Sequence, residues 1–241
     1  MATDELILLA RAHLASARNV TILTGAGISA DSGVPTFRGI DGLWRNFRAE
    51  DLATPEAFER DPRLVWEWYN WRREVLATKQ PNEAHYALAD MEKRTKDFHL
   101  ITQNVDGLHR LAGSQKVSEL HGDIWKVRCT ACRLVTGNRD VPLSLLPHCG
   151  TCGGLLRPHI VWFGEALDEQ TLATSFRAAE SCDVMVIVGT SGLVYPAAML
   201  MPAAKANEAF VIEVNLDSTP NSPNSGLSLQ GRAKDIIPLL L

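Results

Sequence analysis

The chain has 241 residues, 46% of them apolar and 22% charged, with a formal net charge of −4. That is the composition of an ordinary soluble globular protein; its acidic balance gives no electrostatic reason to expect a nucleic-acid partner. No apolar run approaches the roughly 20 residues that span a bilayer, so no membrane partner is expected either. The first residues, MATDELILLARAHLAS, carry Asp4 and Glu5 and place Leu6, Leu9, Ala10 and His13 at helical spacing. They lack the basic start of a signal peptide and the acid-poor character of a transit peptide, which predicts a cytoplasmic protein.

Val20, Ile22 and Leu23 then open a buried strand that turns on Gly25-Ala26-Gly27 into a helix start at Ile28–Ser32. Strand, glycine turn and helix N-terminus together suit a pyrophosphate, because the glycines admit the phosphates and amide N–H groups face them. The pattern is Gly-x-Gly-x-x-Ala, ending on Ala30, and a tight strand–helix turn with no ligand would read the same way. Phe37-Arg38-Gly39 and Asp41-Gly42-Leu43-Trp44 follow where a dinucleotide fold would continue its helix, and read as an insertion poised over the ligand.

Thr54 before Pro55, and Asp61 before Pro62, have the form of helix caps with proline at the first helical position. The second helix, Arg63 to about Thr78, carries Trp66, Trp68, Tyr69 and Trp71, with Tyr69 and Arg72 neighbours on one face. Asn82 caps a helix running to about Arg94. His99–Thr102 is a strand ending in Gln103-Asn104-Val105-Asp106-Gly107-Leu108-His109, and Val117–Leu120 is another, ending in His121-Gly122. Leu155–Glu165 is extended, Asp168–Glu180 helical, and Asp183–Val188 a fully buried strand leading into Gly189-Thr190-Ser191-Gly192. A helix over roughly Ala197–Asn207 precedes the strand Phe210–Val214, which ends in Asn215-Leu216-Asp217. Ser218–Ser225 reads as a loop. Strands alternating with helices predict an α/β fold, a doubly wound parallel Rossmann-like sheet. Residues 1–36, 82–125 and 156–241 are assigned to it. Residues 37–81 and 126–155 are assigned to a smaller helical and metal-binding domain.

Cys129-x-x-Cys132 and Cys149-x-x-Cys152 stand 16 residues apart, the pattern of a four-thiolate zinc ribbon with a structural ion. Two disulfides are the alternative, but no secretion signal points to an oxidising compartment. Cys182, before an apolar strand, reads as a core thiol.

Four strand ends carry polar or glycine-rich clusters: Gly25–Ser29, Gln103–Asp106, Gly189–Ser191 and Asn215–Asp217. On one parallel sheet they converge on one crevice, which favours dinucleotide binding. No acid follows the second strand of a compact βαβ unit to hold the adenosine ribose; Asn215 or Asp217 is left for that task.

In these residues the chain resembles the sirtuins, NAD-dependent protein lysine deacylases. GAGIS-x3-GVPTFRG from Gly25, TQNVDGLH from Thr102, Leu120-His121-Gly122, the two Cys pairs, GTS-x-x-V-x-P from Gly189 and Asn215-Leu216-Asp217 fall in that family's order over nearly the whole chain. The resemblance implies NAD as co-substrate, one structural zinc ion, and release of nicotinamide with transfer of the acyl group to ADP-ribose. His121 matches the general base, suited by an unperturbed pKa near 6.5; on the residues alone it could equally be a structural histidine. Asn104 and Asp106 match catalytic positions at the nicotinamide pocket and ribose, with Gln103 at the ribose and Val105 between them. Gly25, Ala26, Gly27, Ser29, Gly189, Thr190, Ser191, Asn215, Leu216, Asp217 and Ala233 match cofactor contacts; Phe37, Arg38 and Trp44 match the loop covering the nicotinamide. Val161, Phe163, Gly164 and Glu165, with Gly192, Val194 and Tyr195, match two edges between which an acyl-lysine protein or peptide adds as a strand. A monomer is expected.

Two departures from deacetylase-type members narrow the resemblance. Thr36 replaces their Asp, and the stretch from Gly42 to Val75, with Ala53 and Tyr69-x-x-Arg72, looks like the class III sirtuins, which remove succinyl and malonyl groups. Such groups end in a carboxylate, which Arg72 can bind bidentately while Tyr69 donates a further hydrogen bond. Ala53 leaves room for the longer acyl chain. The alternatives are a general deacetylase in which Arg72 only caps the small domain, or a module that binds NAD or ADP-ribose without turnover.

Overall fold

The computed structural model describes residues 2–35 and 48–241. Helix α1 (Ala2–Ser16) leads to β1 (Asn19–Thr24) and α2 (Gly27–Ala30). Four helices follow: α3 (Ala49–Leu52), α4 (Pro55–Arg60), α5 (Pro62–Ala77) and α6 (Glu83–Arg94). The side chains of Thr54, Asp61 and Asn82 accept backbone amides at the starts of α4, α5 and α6, as the sequence predicts. Next come β2 (Asp97–Thr102), α7 (Leu108–Leu111), β3 (Val117–Glu119), β4 (Gly122–Cys129), β5 (Val135–Gly137) and β6 (Leu156–Ile160). The chain ends with α8 (Glu169–Ser181), β7 (Val184–Val188), α9 (Leu200–Ala206), β8 (Phe210–Asn215), β9 (Leu227–Gln230) and α10 (Ala233–Ile236).

Six strands form one sheet in the order β3-β2-β1-β7-β8-β9, and every neighbouring pair is parallel. Because successive strand residues face opposite sides, Ile22, Leu100 and Val186 join the core under α6 and α10, while Leu23, Ile101 and Ile187 join the core under α9. Both faces are thus covered, which is why these strands read as unbroken apolar runs. The strand order reverses between β1 and β7, and the carboxyl ends of those two strands carry the Gly25 and Gly189 turns. Open α/β sheets hold ligands at such a switch point.

The smaller sheet runs β5-β4-β6 and is antiparallel. It draws in Gly122–Cys129 and Leu156–Ile160, and so extends across positions 125 and 156, where sequence patterning divides the chain. Its residues Ile124, Trp125, Val127 and Ile160 share a separate core with Leu52, Ala53, Phe58, Trp66, Trp68 and Tyr69 of the helical insertion. Arg73 of α5 ties the two together: its guanidinium donates to the carbonyls of Ile124 (2.6 Å), Asn138 (2.8 Å) and Asp140 (3.0 Å). Among the described residues no helix is long and apolar enough to cross a membrane.

Two elements differ from expectation. The helix after the glycine turn is a single four-residue turn, Gly27–Ala30, whose cap Ala26 makes no side-chain hydrogen bond. Phosphate attraction there rests on local amides rather than on a long helix dipole. Strand β9, the sheet's edge, lies just beyond the Ser/Pro/Asn-rich loop and went unread because only Leu227 and Leu229 of its four residues are apolar.

Candidate active site

Two glycine turns interlock at the floor of the crevice. Gly25 N–H donates to Val188 O (3.0 Å) and Gly27 N–H to Gly189 O (2.8 Å). Gly189 has φ +61°, and a Cβ there would stand 2.4 Å from the amide nitrogen of Ile28. Only glycine permits both that conformation and that approach. Around the floor, side chains stitch the strand ends together. Gln103 donates to the Thr190 hydroxyl (2.8 Å), and Asn215 donates to the Thr190 carbonyl (3.1 Å). Three of the four predicted clusters are therefore hydrogen-bonded to one another, and the fourth meets them through Asn104, whose amide donates to Gly25 O (3.1 Å) and the Ser29 hydroxyl (3.1 Å).

Ser29 in turn donates to Asp106 Oδ2 (2.8 Å), while Asp106 Oδ1 accepts the Leu108 amide (2.9 Å). Burial raises the Asp106 pKa; those two hydrogen bonds and the nearby Arg72 charge pull the other way. His121 is half-buried, with Nδ1 2.9 Å from the Gln103 carbonyl. A carbonyl only accepts, so Nδ1 carries the proton and Nε2 presents a lone pair. Burial holds the His121 pKa below the usual 6.5, with the Gln103 bond opposing, so the ring is neutral at pH 7.

The small domain approaches the crevice through Arg72, whose charge acts on Asp106. On α5, the Arg72 guanidinium stacks 5.8 Å from the Tyr69 ring and 5.1 Å from Trp68. Tyr69 is fully buried, and burial pushes its pKa up to about 12, so it stays a neutral phenol. Ala53 is buried nearby, and its carbonyl accepts the Phe163 amide (2.9 Å). Phe163, Val194 and Tyr195 are exposed, as befits two peptide edges, with Gly164 exposed and Gly192 half-buried beside them; Val161 donates its amide to His121 O (2.9 Å). Glu165 has a different occupation. Its carboxylate is paired bidentately with Arg157 (2.6 and 2.8 Å) and accepts the Trp162 amide (2.9 Å), so it braces the turn.

The remaining expected positions are unevenly placed. Ser191 is half-buried at the crevice turn, and Leu216 and Asp217 are exposed beyond β8. Val105 is buried in the small-domain core, and its carbonyl accepts the Ile124 amide (3.0 Å). Ala233 is buried in the main core at the start of α10. Phe37, Arg38 and Trp44 lie outside the described residues.

Several site residues escaped sequence reasoning. His85 reaches the Ser29 hydroxyl (3.3 Å) and His109 the Thr24 hydroxyl (3.0 Å), both fully or nearly fully buried behind the crevice. His85 follows its cap Asn82 by three residues, the capping-box spacing, and that signal could have found it. Glu213, wholly buried at the end of β8, accepts from Asn215 (3.2 Å), Thr219 and Ser222, fixing the loop after Asn215. A charged residue inside an apolar strand was its visible mark.

Apart from the crevice, Cys129, Cys132, Cys149 and Cys152 bring their sulfurs within 4.8 Å of one another, and all four are free thiols. The separations of 3.5 Å (Cys129–Cys152) and 3.8 Å (Cys132–Cys149) suit a tetrahedron of Zn–S bonds of about 2.3 Å. Amides of Thr151 and Cys152 draw Cys149 down to about 6, favouring thiolate. The disulfide alternative is set aside, and the cluster fits one zinc ion.

Known proteins carry the same arrangement. A Sir2 family profile matches residues 25–196. An NAD-dependent protein deacylase of Aquifex aeolicus is 57% identical over 203 residues, 84% of this chain and 85% of that protein. One from Pyrococcus furiosus is 50% identical over 234 residues, 95% and 94% of the two chains. The mitochondrial NAD-dependent protein deacylase sirtuin-5 of Danio rerio is 45% identical over 255 residues, 95% of this chain and 84% of its own. Among solved structures, a Sir2 homologue in complex with NAD superposes with a TM-score of 0.91 at 46% identity, covering 97% of this chain and 91% of that one. A Sir2 variant with a deacetylated p53 peptide and 3'-O-acetyl ADP-ribose does so at 0.84 and 32% identity, covering 97% and 96%. With a Sir2 profile spanning residues 25–196, from the glycine floor through the crevice histidine and the four-cysteine module, the chain belongs to the Sir2 family.

Proposed function

We propose that this NAD-dependent protein deacylase removes succinyl and malonyl groups from lysine side chains, with weaker activity on acetyl-lysine. The observation that carries the acyl preference is the pairing of Arg72 and Tyr69 on the inner wall of the site, close enough to Asp106 for the Arg72 charge to act on it. Burial lowers the Arg72 pKa and raises that of Tyr69, so a half-buried guanidinium stands beside a neutral phenol. A terminal carboxylate can accept from both side chains; an acetyl methyl can accept from neither.

The rest of the site serves the common chemistry. NAD supplies the ribose carbon that accepts the acyl oxygen and the nicotinamide that leaves. Gly25, Gly27 and Gly189 would let backbone approach its pyrophosphate, and Gln103, Asn104, Asp106, Thr190 and Asn215, joined across the crevice, would hold its riboses. His121, with Nδ1–H held by Gln103, directs Nε2 as a neutral base for a ribose hydroxyl proton. The substrate backbone lies between residues 161–165 and 192–195 as an added strand, so peptide sequence matters less than the acyl group. We further propose that the enzyme works as a cytoplasmic monomer, which fractionation and sedimentation test.

The deciding experiment compares succinyl-, malonyl- and acetyl-lysine peptides with NAD, following nicotinamide release and the mass of the acyl-ADP-ribose product. Wild type favours the acidic acyl groups. Arg72→Met removes two charge-assisted hydrogen bonds, worth about 1.5–3 kcal/mol each, and lowers succinyl relative to acetyl turnover about 100-fold or more. Equal loss of both activities overturns the carboxylate reading.

A further inference from the structure

The phenol of Tyr69 makes one hydrogen bond that decides where its proton goes. Trp162 Nε1 lies 2.8 Å from the Tyr69 oxygen, in a fully buried contact. An indole N–H can only donate, so the phenol accepts there and must direct its own O–H elsewhere. Among the described residues that O–H donates to no acceptor. That leaves the O–H able to donate to a carboxylate held by Arg72, whose guanidinium stacks 5.8 Å from the same ring.

The indole is held from several sides. The Arg157 guanidinium stacks 3.3 Å from its centroid, and the Phe58 ring packs at 5.3 Å. Arg157 is itself gripped bidentately by Glu165, whose second oxygen also accepts the Trp162 amide (2.9 Å). The next residue, Phe163, donates its amide to the carbonyl of Ala53 (2.9 Å), tying the same segment to the wall of the acyl pocket. Trp162 is 2% exposed, so water does not compete for its N–H.

We infer that Trp162 is a positioning residue for acyl selectivity: by donating to Tyr69 it orients the phenol as a donor toward an acidic acyl group, with Arg157 and Glu165 fixing the indole. The inference rests on the acidic-acyl reading of Arg72 and Tyr69. Without the indole donor, the phenol rotates between partners and presents its proton to the substrate only part of the time. A merely structural tryptophan would affect all substrates alike; an orienting one affects those whose acyl end accepts the Tyr69 proton.

The test is the ratio of kcat/KM for succinyl- and acetyl-lysine peptides in wild type, Trp162→Phe, Tyr69→Phe and the double variant. Trp162→Phe lowers the ratio about tenfold, mainly through KM for the succinyl peptide, while in the Tyr69→Phe background the same change moves it less than about twofold. Should Trp162→Phe fail to fold, the sulfur isostere benzothienylalanine at position 162 keeps the ring shape, deletes the N–H and lowers the ratio likewise. A succinyl preference that survives either replacement, or falls equally with and without Tyr69, overturns the inference. A wild-type enzyme indifferent to succinyl groups overturns the pocket reading and this inference with it, so the two failures are distinguishable.

Discussion

Acidification should destabilise the fold through His85. Ser29 donates to Asp106, so its oxygen accepts from His85, which places the proton on Nε2 and leaves Nδ1 to accept the Asn82 amide that caps α6 (3.3 Å). The ring is wholly buried and lies 4.9 Å from that of His109. Burial pushes the His85 pKa from 6.5 down to about 4, and burial together with His85 beside it holds His109 well below 6.5 as well. Protonating Nδ1 would cost the capping bond and place a charge in the core. An unfolded chain binds that proton near pH 6.5, the folded one only near 4. Between those values the unfolded state holds more protons, so stability rises with pH and is lost as pH falls through the window.

That displacement corresponds to about 3 kcal/mol, fully present above pH 6.5 and gone near pH 4. At roughly 2–4 °C per kcal/mol for a chain of this size, His85 alone accounts for a fall in Tm of roughly 6–12 °C. Calorimetric unfolding of wild type and His85→Gln in half-unit steps from pH 7.5 to 4.5 isolates it, because carboxylates and His109 titrate in both. The variant is less stable at neutral pH but declines more gently, so the gap closes with acid. Parallel curves for the two proteins would refute the assignment.

The same logic places the acid limb of turnover. Burial keeps His121 neutral, so activity with a succinyl peptide holds down to below pH 6.5 and falls only as Nε2 protonates; a limb at or above pH 6.5 contradicts the geometry. His121→Ala lowers kcat about 10²–10⁴-fold, the usual worth of a general base. For the metal, a strong chelator releases one zinc ion per chain, read with a chromogenic indicator, and lowers Tm; a metal-free protein of unchanged stability speaks against a structural ion.

How much was legible in the sequence follows from where each signal resides. β1, β2, β7 and β8 are buried on both faces, so their apolar runs stand out, and Thr54, Asp61 and Asn82 announce helix starts by local chemistry alone. The crevice was legible because parallel strands bring their carboxyl ends to one edge. The four cysteines were legible because ligand spacing is local. What escaped depends on tertiary burial. His85 and Glu213 leave only faint local marks, a capping-box spacing and a charge in an apolar strand, and they and His109 acquire their roles when wholly or almost wholly enclosed. Glu165, expected at a peptide edge, is claimed by Arg157 from eight residues earlier, a pairing that β6 creates by turning back toward the site.

The four-cysteine module lies apart from the crevice, and α5 links the two. Successive helical residues point about 100° apart, so one helix serves two neighbours. Tyr69 and Arg72 face the proposed acyl pocket. Asn70 and Arg73, one position on from each, face the loop between the cysteine pairs: Asn70 exchanges two hydrogen bonds with Leu143 (2.7 and 3.2 Å), and Arg73 holds Asn138 and Asp140. That loop has little regular structure of its own and is fixed at both ends by the cysteines. A zinc ion held by the cysteines would stiffen the loop, the loop holds one face of α5, and Trp162 donates to the Tyr69 phenol on the other. The proposed acyl pocket and the loop of the cysteine module thus meet on a single helix, within the stretch from Tyr69 to Arg73.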